Sequence, residues 1–228
     1  MNQLISNYYK KSIRLTPDGF SLYWLQENGK LQQAHYPTAE NALITNKAPQ
    51  FFNLSTDDNQ SVDIIIATKM PMLIPDIIYD ESKVTDYLRM QFDISQLGKC
   101  FSEQLGHYRS LSFMTQNESD TIRELPCQVH CVSEASLLYQ FLLEQNMTEA
   151  VLLSINDSFA DILAMQHNEP LLINRTRHVE NVDLLYYTLN SVQQLGLRNP
   201  TLFVNHFGKG NKKLNDLLAQ YIDNIILL

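Results

Sequence analysis

Five groupings in this 228-residue sequence carry side chains capable of chemistry. Gly208-Lys209-Gly210 precedes a helical pattern that Asn211 would cap, and glycines at a helix N-terminus let backbone N–H groups approach an anion, phosphate above all. Arg175-Thr176-Arg177-His178 is the one local basic cluster, where Arg175 and Arg177 could meet an anionic ligand or an acidic segment of a partner protein. Asp18-Gly19 and Asn156-Asp157 place carboxylates in tight turns, positions these residues also occupy for backbone reasons alone. Cys127 and Cys131 lie four apart on one strand face, but no further Cys or His joins them at finger spacing, so they read as buried free thiols and no metal site is expected. The six histidines form no Ser/His/Asp or Cys/His set that spacing would flag.

The elements that must position these residues follow from turn chemistry. Ser12–Thr16 alternates apolar and polar, Pro17-Asp18-Gly19 turns, and Phe20–Leu25 resumes an aromatic-rich strand. Asn28-Gly29 is a hairpin signal, and Leu31–Tyr36 makes a third antiparallel strand that stops at Pro37. A helix capped by Thr38 then runs to Phe52, with Pro49 weakening its end, and the β-branched run Val62–Thr68 reads as a central strand. A helix follows from Ser82, then a strand over Tyr108–Met114, a polar connection, a strand over Cys127–Val132 and a helix capped by Ser133. At Ala150 the pattern restarts: Val151–Ile155, Phe159–Met165 and Leu171–Asn174 are strands. Val182, Leu185, Tyr186, Leu189, Val192 and Leu195 make a helical stripe ended by Gly196, before a strand over Thr201–Val204 and a last helix from Asn211. The first turns of the two copies, Asp18 and Asp157, are 139 residues apart, and the second turns, Asn28 and Asn168, are 140 apart. That near-constant offset implies duplication.

Composition removes several classes of function. With 25 acidic against 17 basic residues and no dense Lys/Arg run, nothing neutralises a series of phosphates, so nucleic acid is not the expected partner. No apolar stretch approaches the ~20 residues of a membrane span, and the N-terminus lacks a signal-peptide pattern, which points to a cytoplasmic protein without direct membrane insertion.

This element order resembles the ribonuclease-H-like halves of the actin, sugar-kinase and chaperone ATPase superfamily. More specifically the chain resembles an uncharacterised Bacteroidetes family, domain-of-unknown-function family 3822, with an actin-like ATPase fold; Ser12–Gly19, Leu171–Arg175 leading into Val182–Tyr187, and Gln194–Leu197 carry the likeness. The resemblance implies a duplicated α/β fold, each half a mixed sheet of three antiparallel strands plus parallel strands with flanking helices. The expected domains are 1–148, with an inserted strand near 107–115, and 149–228, whose abrupt apolar end suggests a short relative or a truncated second half.

A working ATPase of this superfamily needs an Asp-x-Gly turn whose carboxylate engages the metal shell and whose glycine admits phosphate. Here Pro17 has no N–H to donate and no acidic residue precedes it, so Asp18 reads better as turn chemistry. The second phosphate turn, Asn156-Asp157-Ser158, has no glycine, and Gly208-Lys209-Gly210 is the only counterpart of a nucleoside loop. The balance leans away from an enzyme and a cofactor. It favours a degenerate actin-like protein acting through an unidentified protein partner, as do nucleotide-poor cytoplasmic members in secretion and pilus platforms. The alternatives are a Mg-ATP-dependent kinase or ATPase with altered loops, using Asp18 or Asp157 for the metal, and a sensor of a small ligand.

Overall fold

Turn residues punctuate the chain where strands begin and end. The computed structural model describes residues 3–37, 41–54, 60–208 and 210–228. After a short helix α1 (Gln3–Tyr8), strands β1 (Lys11–Thr16), β2 (Gly19–Leu25) and β3 (Leu31–Tyr36) pair antiparallel. Thr16 Oγ1 donates to the Gly19 carbonyl at 3.1 Å across the first turn. Gly29 closes the second at φ 76°, a conformation that a Cβ would strain. Helix α2 (Asn41–Phe52) retains Pro49 in its last turn and leads into β4 (Ser61–Ile66), which runs parallel to β1. The expected cap at Thr38 lies outside the described residues.

Between β4 and the next strand of this sheet lies more than the single inserted strand expected there. Strand β5 (Met72–Pro75), two 3₁₀ turns, helix α3 (Val84–Gln91), strand β6 (Leu97–Leu105) and strand β7 (Tyr108–Thr115) form a separate antiparallel sheet in the order β5-β7-β6. Its small core is Ile74, Leu88, Leu111 and Phe113. The expected polar connection that follows is in fact helix α4 (Gln116–Arg123), started by a capping box in which Thr115 and Glu118 satisfy each other's backbone N–H groups. Its inward side holds Ser119, Thr121 and Ile122, so the hydrophobic periodicity that announces most helices is missing. Strand β8 (Gln128–Ser133) then pairs parallel with β4, and α5 (Glu134–Glu144) follows with Ser133 Oγ accepting from the Ser136 N–H.

The second sheet repeats the first. Strands β9 (Glu149–Ile155), β10 (Phe159–Gln166) and β11 (Glu169–Arg177), helix α6 (Asn181–Gln194), strand β12 (Thr201–His206), helix α7 (Lys212–Leu218) and strand β13 (Ile225–Leu227) complete the chain. The two sheets have orders β3-β2-β1-β4-β8 and β11-β10-β9-β12-β13. Their registers match at a displacement of 140 residues on both members of a pair. Ile13 faces Leu22 as Leu153 faces Ile162; Ser21 faces His35 as Asp161 faces Arg175; Ser12 faces Asp63 as Leu152 faces Phe203. Only the fifth strands differ: paired residues are 67 apart in Ser61 and Gln128 but 23 apart in Leu202 and Ile225, and the additional 44 residues hold the inserted sheet. Two similar mixed sheets flanked by helices, with the same strand order, make an actin-like, ribonuclease-H-like α/β fold consistent with a duplicated architecture.

The chain divides into two units, Ile5–Leu137 and Leu138–Leu228, the latter with the N-terminal residues through Leu4. In the first, Ile13, Leu15, Phe20, Leu22, Ile64 and Ile66 meet Ile44, Ala48 and Phe52 of α2. In the second, Val151, Leu153, Ile155, Ile162 and Val204 meet Leu184 and Leu185 of α6 and Leu214 and Leu218 of α7. The aromatic first hairpin is core: Phe20 and Tyr23 are buried, and Trp24 packs edge-on against Phe52. Among the described residues no helix is long and apolar enough to cross a membrane.

Candidate functional site

Among the described residues, each unit brings polar side chains together near the turn between its first two strands. In the first, Pro17 and Asp18 are the exposed corner of a two-residue turn between β1 and β2. The geometry is that of a tight hairpin whose backbone is closed by Thr16 and Gly19. Proline at the corner cannot donate to a bound phosphate.

Below this turn lies a group that strand alternation did not predict. Residues Ser12 to Thr16 are all buried, so the sheet face expected to be polar and exposed is covered. On it, Arg14 and Glu134 form a two-pronged ion pair: Nε donates to Oε1 at 2.6 Å and Nη2 to Oε2 at 2.8 Å, with both side chains 2% exposed. The Tyr9 hydroxyl donates to the same Oε1 at 2.7 Å. Burial pushes the Tyr9 hydroxyl well above the usual phenol range, and the neighbouring Glu134 carboxylate adds to the shift. For Arg14, burial is the largest single influence and opposes the charge, but the Glu134 charge and hydrogen bonds, with smaller help from Tyr23 and Tyr9, together raise the pKa further. Arg14 therefore keeps its charge, and Tyr9 its proton, across the physiological range.

The second unit gathers most of the residues singled out from the sequence. The turn between β9 and β10 carries Asn156, half-buried, and Asp157 and Ser158, both exposed. The Phe207 N–H donates to the Ile155 carbonyl at 3.0 Å, which ties the loop after β12 to the end of β9. A Cβ on Gly208 would lie 3.3 Å from Asp157 Oδ1, so the Asp157 carboxylate and the Gly208 backbone are neighbours. His178 Nε2 lies 3.0 Å from the Asn156 carbonyl. Gly210 is exposed with open space where a Cβ would stand, and Lys209 lies outside the described residues. Asn211 caps α7 as expected, its Oδ1 accepting from the Leu214 N–H at 3.1 Å, and its amide bonds to Asn181 at 2.7 Å.

Arg175 and Arg177 part company. The Arg175 guanidinium donates to both oxygens of Asp161, at 2.6 and 2.8 Å, and lies 4.0 Å over the Phe159 ring. With side-chain exposures of 15% and 4% for Arg175 and Asp161, this charge is spent inside the sheet. Arg177, two residues on, is exposed. The shared register explains the pairing: Arg14, Ser21 and His35 form a row across one sheet, and Ser154, Asp161 and Arg175 occupy the same row of the other. Ser21 and His35 are linked at 3.0 Å, and Ser154 accepts from Asn205 at 3.2 Å. Each sheet thus carries a polar row with one arginine, neutralised from α5 in the first and from the adjacent strand in the second.

The cysteines are half-buried and free, and burial raises all three thiol pKa values. Among the described residues no group of three or more His, Cys, Asp or Glu side chains could hold a metal ion.

Comparison with known proteins bears on the fold. A Bacteroides thetaiotaomicron protein of unknown function with an actin-like ATPase fold is similar at a TM-score of 0.72 and 18% identity, over 100% of this chain and 94% of that one. The PilM–PilN type IV pilus biogenesis complex contains a chain similar at a TM-score of 0.63 and 12% identity, over 95% and 87% of the two chains. The ethanolamine utilization protein EutJ of Carboxydothermus hydrogenoformans is similar at a TM-score of 0.52 and 5% identity, over 96% and 84%. At these identities the likeness establishes fold alone. No curated protein matches the sequence. A family model described as "Protein of unknown function (DUF3822)" spans residues 1–225, and the chain belongs to that family.

Proposed function

We propose that this protein is an actin-like-fold protein that acts through protein–protein contacts and does not turn over nucleotide. The observation that carries the reading is the pair of turns where phosphate would sit. Pro17 occupies the corner of one, and the other, Asn156-Asp157-Ser158, contains no glycine. A phosphate cradle needs successive N–H groups pointing at the ligand, with backbone free to approach it. The similar chain in the PilM–PilN complex supplies a precedent for this fold engaging another protein. In this reading residues 1–148 and 149–228 are the two ribonuclease-H-like subdomains, Arg177 is an exposed cation available to a partner, and nucleic acid has no part.

One observation favours a second reading. Asp157 and Gly208, from separate loops, are brought side by side at the end of the second sheet. This is the pairing that an ATP-binding variant would use, with Asp157 toward magnesium and the Gly208–Gly210 loop toward the nucleotide. Isothermal titration of the protein with ATP and ADP in magnesium separates the two. No heat at millimolar nucleotide is the expected result. Micromolar binding lost in Asp157→Ala would overturn the proposal and establish the second reading.

A further inference from the structure

Helix α6 carries more apolar surface than its core requires. Leu184, Leu185 and Thr188 are buried against the second sheet. Val182 and Tyr186, placed by their spacing on the same stripe, are instead 56% and 62% exposed. They stand one turn apart on the outward side, and Leu189, half-buried against the core, lines the floor of the same groove. Tyr221, just beyond α7, is 60% exposed and lines the same surface. Together these side chains line an open groove of about 560 Å³ within this one unit.

The groove has a sign as well as a shape. Its single charged lining residue is Asp183. The Asp183 carboxylate accepts from the N–H groups of Val179 and Glu180 at 2.9 and 3.0 Å, which fixes it in place at the start of the helix. Those hydrogen bonds also hold its pKa below the usual carboxylate range, so the charge persists at neutral pH. From Asn181 to Gln194 there is no Lys or Arg. Tyr186, Tyr187 and Tyr221 add ring faces with the electron-rich character that attracts ammonium and guanidinium groups.

We propose that this groove is the docking site for a basic amphipathic helix of a partner protein. Its apolar stripe fills the channel between Val182, Tyr186 and Tyr221, and its Lys or Arg side chains lie over the tyrosine rings and against Asp183. The geometry matches helix-in-groove recognition, in which anchors one turn apart supply affinity and flanking charge supplies selectivity. The inference rests on the protein acting through contacts, but it can fail separately, because nucleotide titration leaves the groove untested.

The test titrates a synthetic Leu/Lys amphipathic helix, and a Leu/Glu helix of identical pattern, into the full chain by fluorescence anisotropy. The Leu/Lys peptide is expected to bind with an affinity that falls as salt rises. Tyr186→Ser and Tyr221→Ser should each weaken it by about tenfold or more. Both residues are exposed, so the melting temperature should stay unchanged. Equal binding of both peptides, or none of either, overturns the proposal. So does equal affinity in the Ser variants. A homodimer seen by sedimentation and dissociated by Tyr186→Ser would assign the groove to a second copy instead. Binding to anionic vesicles abolished by the same substitutions, without peptide binding, would assign it to a lipid surface.

Discussion

Replacing Glu134 by Gln tests whether the buried charge pair organises the first unit. The substitution keeps the side chain's shape but removes the counter-charge from Arg14, whose guanidinium is 2% exposed and cannot reach water without disturbing β1. The amide oxygen can still accept from Arg14 Nε and the Tyr9 hydroxyl, whereas its NH₂ faces the Nη2 N–H that Glu134 Oε2 had accepted at 2.8 Å. Removing one partner of a buried pair costs about 3–5 kcal/mol, because the remaining charge stays desolvated. Against the usual total of ~5–15 kcal/mol, this is a large fraction of the stability of a single domain. Replacing both partners, as Arg14→Met with Glu134→Leu in a Tyr9→Phe parent so that no buried hydroxyl loses its Glu134 acceptor, removes the desolvation penalty together with the attraction. The double variant should therefore lie within about 1–2 kcal/mol of that parent. The assay is urea unfolding followed by the fluorescence of Trp24, the only tryptophan, which sits in β2 beside Arg14's strand and reports on this unit. A cost for Glu134→Gln below about 1 kcal/mol, or a double variant no better than the single one, would refute the reasoning.

Two other consequences are equally direct. A Cβ on Gly98 would sit 2.6 Å from the Thr115 carbonyl oxygen, so Gly98→Ala should cost about 2 kcal/mol or more by thermal or urea unfolding, whereas Gly210→Ala, with open space, should lie within about 0.5 kcal/mol of the parent. Glu149 accepts from the Arg198 and Asn199 N–H groups at 2.9 and 3.0 Å, and the Asn199 bond leads the causes that depress its pKa from 4.5. A carboxylate depressed by folding stabilises fully above its unfolded value, and that contribution fades as pH falls through the folded one. Melting temperature measured down through the acid range should therefore show a shallower decline for Glu149→Gln than for the parent. An unchanged slope would remove Glu149 from the acid response.

How much of this was legible depends on the range of the interaction. The hairpin turns at Asp18, Asn28, Asp157 and Asn168 reveal themselves locally, since Gly, Asn, Asp and Pro act on the backbone dihedrals of their own neighbours. The offset of 139 to 140 residues read from those turns is close to the displacement of 140 that relates the two ladders. Strand β6 was not legible, because its burial shows no sustained alternation across Leu97–Leu105. Helix α4 hid behind small polar residues, although Thr115 and Glu118 carried a capping signal that could have found it. The stripe of α6 was read as helical, and the helix is there, but the stripe is not all covered: Val182 and Tyr186 share its periodicity and face outward. Periodicity tells which side is apolar, not what covers it.

The candidate residues divide in the same way. Asn156, Asp157 and the loop at Gly208 were identifiable as turns, but their approach to within contact depends on the β9–β12 pairing. Arg175 looked available in a basic cluster until the β10–β11 register set it opposite Asp161. The Arg14–Glu134 pair joins residues 120 apart in the chain, and no local pattern marks either as buried. By itself the sequence determined where strands stop, which turn carries a proline and which has no glycine, and that the turn pattern recurs at a fixed offset, because these are properties of adjacent residues. Tertiary structure alone decided which charges are neutralised inside the sheets and which apolar residues remain outside, because burial and pairing are settled by partners the chain brings from far away.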